Sequence, residues 1–146
     1  MSEAVPPRPK RPEFRNIHVF RDLPTYRLPL AGWTSILHRI SGAVLFLLLP
    51  LLIWLFDTSV SSEISFARFA AVFSTGVGWV PGWIVRLMVL AMVWAYLHHF
   101  LAGIRYFILD VTHRTTKDFG RQTSLAVLIP SLALTVILGA KVFGLY

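Results

Sequence analysis

Ile40 to Phe56 reads ISGAVLFLLLPLLIWLF, an unbroken run without a single charged side chain. Crossing the hydrocarbon core takes about 20 residues at the helical rise. Thr34 to Phe56 supplies them once the more polar lead-in Trp33–Arg39 is read as part of the same helix. Pro50 falls inside. A membrane helix tolerates it because neighbours re-satisfy the freed carbonyl, with a bend as the expected trace. Two further runs have the same character. Trp83–Leu109 is opened by Pro81, whose missing N–H costs nothing at a helix start, and Ser124–Phe143 has Thr123 or Ser124 as its expected cap. The expected fold is all-α: an integral membrane bundle of three transmembrane helices over 34–56, 83–109 and 124–143.

Composition points the same way. Hydrophobic residues make up 55% of the 146 and charged ones 14%, against about 25% charged in a soluble domain. The apolar runs leave no room for a separate soluble module, so 31–146 is expected to be one membrane domain. Residues 1–30, with Pro6, Pro7, Pro9, Pro12, Pro24 and Pro29, form a basic arm without a signal-peptide core, expected to be extended or irregular and to dock on a partner. Between the first two spans, Ser61-Ser62-Glu63 followed by Ile64, Phe66, Phe69, Val72 and Phe73 suggests a short helix lying on the outer surface. Cysteine is absent, which excludes disulfides, thiolate nucleophiles, cysteine-ligated metal clusters and covalently attached haem.

The net charge of +7 does not indicate nucleic acid, because the basic residues gather beside the spans. Arg8, Lys10, Arg11, Arg15, Arg21, Arg27 and Arg39 precede or open the first; Arg114, Lys117 and Arg121 lie between the second and third. The loop after the first span carries only Arg68 beside Asp57 and Glu63. The positive-inside rule therefore places the N-terminus in the cytoplasm and the C-terminus outside. Trp33 falls at the inner boundary and Trp54, Trp79 and Trp83 at the outer one, as interfacial tryptophans do.

Ionisable groups inside spans are costly, and each calls for a reason. Arg86 and Lys141 lie near span ends and can snorkel to the interface; Arg105 with Asp110 reads as an inner interfacial anchor. His98 and His99 lie about 16 Å from the cytoplasmic end of their span, toward the middle of the hydrocarbon. Ala95, His99, Ala102, Gly103 and Tyr106 follow helical spacing, so His99 is expected in a shallow trough that admits another helix or a bulky group. Imidazole is the common axial ligand of b-type haem. In the first helix Ser35, His38, Arg39 and Gly42 share one stripe, putting a hydroxyl, an imidazole and a guanidinium at membrane depth near the cytoplasm. No P-loop, dinucleotide fingerprint, HExxH motif or serine-histidine-acid set is present.

Two motifs now become familiar: Tyr26-Arg27 leading into Ser35-Ile-Leu-His-Arg-Ile-Ser-Gly42, and His98-His99-Phe-Leu-Ala-Gly-Ile-Arg105-Tyr-Phe-Ile-Leu-Asp110. From about Arg11 onward the sequence resembles the cytochrome b556 subunit of succinate dehydrogenase, the larger of the two membrane anchors of respiratory complex II. The resemblance implies that His99 is one axial ligand of haem b, with the other histidine supplied by a second small membrane anchor subunit and His98 a structural neighbour. Ser35 and Arg39 would line the ubiquinone pocket, and His38 with Arg39 would contact the haem propionates. Tyr106 stands where several relatives carry a second histidine. The partners implied are an iron-sulfur subunit and an FAD-containing flavoprotein on the cytoplasmic side of a bacterial inner membrane. A donor hydroxyl and an always-charged guanidinium suit a quinone oxygen that gains negative charge. Two alternatives stay open: an anchor of a related fumarate reductase that uses menaquinol, and a cofactor-free structural anchor.

Overall fold

The computed structural model describes residues 18–146 and consists, among these, of helices and short connections. Residues 1–17 of the arm, with Arg8, Lys10, Arg11 and Arg15, lie outside the described part. Val19–Asp22 forms one helical turn, α1, whose entry is closed by the His18 backbone N–H donating to the Asp22 carboxylate, and a 3-10 turn succeeds it at Leu23–Thr25.

Three long helices carry the apolar runs: α2 (Leu30–Val60), α4 (Gly82–Thr112) and α5 (Lys117–Val142). All three are long and apolar enough to cross a membrane. At 31, 31 and 26 residues, they run about 46, 46 and 39 Å at the helical rise, longer than the roughly 30 Å hydrocarbon core. Helical hydrogen bonds therefore continue past the apolar stretch at either end. That is why α5 starts seven residues before the expected cap. Its N-cap is Thr116, which accepts from the Phe119 N–H at 3.3 Å. Thr123 and Ser124 sit inside the helix and donate to the carbonyls of Phe119 and Gly120 instead. Pro50 and Pro130 both lie within continuous helices.

The short helix expected between the first two spans is present as α3 (Glu63–Thr75), opened by a reciprocal capping box between Ser62 and Ser65. Gly76 ends it at φ +88°, where a Cβ would overlap the Val80 carbonyl oxygen, so the tight Val77–Val80 turn into Pro81 requires glycine. α4 ends on His113 in the left-handed conformation, its N–H donating to the Leu109 carbonyl.

α4 packs on both α2 and α5, α2 also touches α5, and α3 touches α2 and α4. The bundle is inverted relative to a soluble one. Its buried residues, among those described, are mostly small or polar: Thr34 and Ser41 of α2, Gly82, Ala95, His98, Ala102 and Arg105 of α4, Ser124, Val127, Ser131, Thr135 and Gly139 of α5. Phe46, Leu47, Ile53, Phe107 and Val136 face outward. In lipid no hydrophobic force gathers apolar side chains inward, and close backbone approach through small residues holds helices together. The buried hydroxyls remain paired within their own helices: Thr34 donates to Leu30, Ser131 to Leu128 and Thr135 to Ser131.

Candidate functional site

The spacing of α4 selects which histidine meets which neighbour. Ala95, His98, Ala102 and Arg105 recur at three- and four-residue steps and form the buried stripe toward the bundle. His98, not His99, is the deeper of the pair. Its ring is fully enclosed and stacks on Trp94 with centroids 5.4 Å apart. Among the described residues neither ring nitrogen of His98, nor the Trp94 indole N–H, has a hydrogen-bond partner.

His99 is half-buried, about 100° further round the helix. Its Nδ1 lies 3.1 Å from the His38 carbonyl and 3.3 Å from the Ser41 hydroxyl. A carbonyl only accepts, so Nδ1 carries the proton. The Ser41 hydroxyl spends its own proton on the same carbonyl at 3.0 Å and offers a lone pair to Nδ1. In the neutral ring Nε2 is then the bare nitrogen, the form in which imidazole binds a metal. The His38 ring stacks on the His99 ring at 4.2 Å and 15°, and Tyr106 packs on His38 at 5.1 Å. Gly42 completes the seat: a Cβ there would come within 2.8 Å of His99 Cε1.

On the outer side His99 borders a shallow groove of about 390 Å³ that it lines with Phe100, Gly103, Ile104 and Phe107. A Cβ on Gly103 would meet nothing within 4 Å, so this face of α4 is open to a bulky apolar neighbour. The described residues contain no cluster of three or more His, Cys, Asp or Glu side chains able to hold a metal ion. Such a donor set does not suit a metal cage. One oriented imidazole beside an apolar groove suits a planar group held axially, with a second ligand from elsewhere.

The serine-to-glycine stripe divides between two faces. His38 and Gly42 turn toward His99; Ser35 is half-buried and Arg39 exposed, and neither makes a side-chain hydrogen bond among the described residues. Two basic residues near opposite ends of α4 differ from expectation. Arg105 is not paired with Asp110; it is 6% exposed, donates through Nε to the Thr123 hydroxyl at 3.1 Å, and lies over Tyr106. Arg86 does not simply snorkel, because its Nε–H donates at 2.9 Å to the Phe73 carbonyl in the last turn of α3. Ser41 carries a role that the sequence alone did not assign. Its seven-residue spacing from Thr34, both small and polar in an apolar run, is the signal that marks the contact face.

Comparison with known proteins bears on the whole of this arrangement. Residues 8–138 match the family described as succinate dehydrogenase/fumarate reductase transmembrane subunit. The succinate dehydrogenase cytochrome b556 subunit of Coxiella burnetii is 33% identical over 122 residues, covering 84% of this chain and 93% of the relative. That of Paracoccus denitrificans is 31% identical over 116 residues, covering 79% and 83%. That of Rickettsia felis is 26% identical over 116 residues, covering 80% and 85%. With a family match across most of its length and a helical bundle of three apolar spans, the chain belongs to the succinate dehydrogenase/fumarate reductase transmembrane subunits.

Proposed function

We propose that this membrane anchor is the larger anchor subunit of a succinate:ubiquinone oxidoreductase in a bacterial inner membrane, oriented with its N-terminus in the cytoplasm. In this reading His99 supplies one axial ligand of haem b through Nε2, and a second small anchor subunit supplies the other. The observation that carries it is the lock on Nδ1, which leaves the metal-binding nitrogen bare. Haem b, when bound, contributes a one-electron carrier inside the bilayer. The chain's own residues would hold it: His99 through Nε2, Gly103 and Phe107 along the groove, and His38 with Arg39 at the propionates.

Ubiquinone is the substrate at the cytoplasmic end of α2. Ser35 donates a hydrogen bond to a quinone oxygen, and Arg39 stabilises the charge that oxygen gains on reduction. Electrons come from an iron-sulfur subunit docked on the cytoplasmic face beside an FAD-containing flavoprotein, so a site near that interface shortens their path and admits protons from water. The family also includes fumarate reductase anchors; the Coxiella, Paracoccus and Rickettsia relatives are succinate dehydrogenase subunits, which favours succinate oxidation. A cofactor-free anchor leaves the locked imidazole without a purpose.

Replacing His99 by Ala is expected to abolish or shift the b-type absorption of the purified complex. An unchanged reduced-minus-oxidised spectrum would overturn the ligand assignment. Arg39→Ala is expected to lower succinate:quinone reductase activity by about tenfold or more, the scale of one lost charge-stabilising contact, while sparing succinate oxidation with a soluble dye. Equal loss in both assays would remove Arg39 from the quinone site.

A further inference from the structure

The α2 residues that face His99 do more than fill space beside it. Three contacts converge on one ring from three directions. The His38 carbonyl and the Ser41 hydroxyl share the Nδ1 proton, at 3.1 and 3.3 Å. The His38 imidazole lies nearly parallel on the ring at 4.2 Å. Gly42 stands where a Cβ would press within 2.8 Å of Cε1. Ser41 itself is 1% exposed, so no lipid or solvent competes for its lone pair.

A free imidazole turns about its Cβ–Cγ bond in a broad two-fold well. Here the bifurcated hydrogen bond defines which edge faces α2, and the stacked ring defines the plane. We propose that His38, Ser41 and Gly42 are positioning residues that set the tautomer and the ring plane of His99, and so tune the electronic properties of the haem it ligates. The inference rests on His99 as ligand and goes beyond that assignment. It gives Ser41 and Gly42 a role, and it gives His38 a role separate from any propionate contact.

An acceptor on Nδ1–H makes the imidazole a better electron donor to iron and favours the ferric state. Removing one of two acceptors should therefore raise the midpoint potential. The plane of an axial imidazole governs the splitting of the ferric iron's d orbitals, which low-spin electron paramagnetic resonance reads directly. Stacking is a property of any flat ring, so phenylalanine should substitute for the His38 imidazole in this respect but not in hydrogen bonding to propionate.

The test uses the intact complex purified with wild-type sequence and with Ser41→Ala, His38→Ala and His38→Phe, scored for haem content, midpoint potential and the low-spin ferric spectrum. Ser41→Ala is near-isosteric and should retain haem with an upward shift in potential. His38→Ala should move the largest g value, and His38→Phe should return it toward the wild-type position. Full haem content with unchanged potential in Ser41→Ala and unchanged g values in His38→Ala would overturn the proposal. If His38→Ala fails to assemble, the potential of Ser41→Ala decides. A b-type spectrum that survives His99→Ala would instead overturn the ligand reading, so the two failures are distinguishable.

Discussion

Adjacent histidines on one helix are separated by about 100°, enough to give them unrelated surroundings. His99 leans on α2 with one nitrogen committed, whereas His98 is fully enclosed with neither nitrogen paired among the described residues. A buried polar group without a partner is a cost, and an apolar replacement of similar size relieves it. His98→Leu is therefore expected to keep the b-type spectrum and to leave stability within about 1 kcal/mol of wild type or improve it. Absorption and thermal unfolding of the purified complex measure both; loss of the haem signal in His98→Leu with His99→Ala unaffected would exchange the two roles. The sequence placed both histidines at mid-span. Spacing and the family motif singled out His99, but which of the two is the deeper was not legible, because hydropathy is blind to helix rotation and only the positions of α2 and α5 decide which face of α4 is covered.

At the scale of elements, the corner between α3 and α4 is held by a side chain that the sequence alone presents as a snorkelling charge. The last carbonyls of a helix lack intrahelical donors and carry the negative end of its dipole. Arg86, one turn into α4, meets both needs at the Phe73 carbonyl. Replacing it with methionine keeps much of the stem and removes the donor, so Arg86→Met is expected to loosen α3 by about 1 kcal/mol, the usual net worth of one hydrogen bond. Amide exchange over Glu63–Thr75 should quicken about fivefold while the spans keep their protection. Unchanged exchange there would show that the capping contact contributes nothing. The existence of α3 itself was readable from Ser62 and the apolar spacing after it. The start of α5 was not, because residues 117–122 are too polar to register as membrane and yet continue the helix whose cap is Thr116.

For the whole molecule, orientation is a matter of charge outside the bilayer, and α2, α4 and α5 are compatible with either direction. The excess of basic residues before α2 and between α4 and α5 argues for a cytoplasmic N-terminus. Since the chain has no cysteine, single replacements report position without background. Ser61→Cys should react with a membrane-impermeant maleimide in intact spheroplasts, and Thr115→Cys only after the membrane is opened. The reverse pattern would invert the topology.

What the sequence determined by itself was the class of solvent and the number of crossings. Both are written in the length of apolar runs such as Ile40–Phe56, because bilayer thickness converts directly into residue count. It also carried the motif that names the family, since those residues lie close together along the chain. The tertiary structure decided which side chains meet. The seat of His99 joins residues about sixty positions apart, and the Arg105–Thr123 link joins two helices through a turn. Such contacts depend on the rotation and approach of whole helices, set by small residues packed against one another in lipid, and no local spacing encodes them.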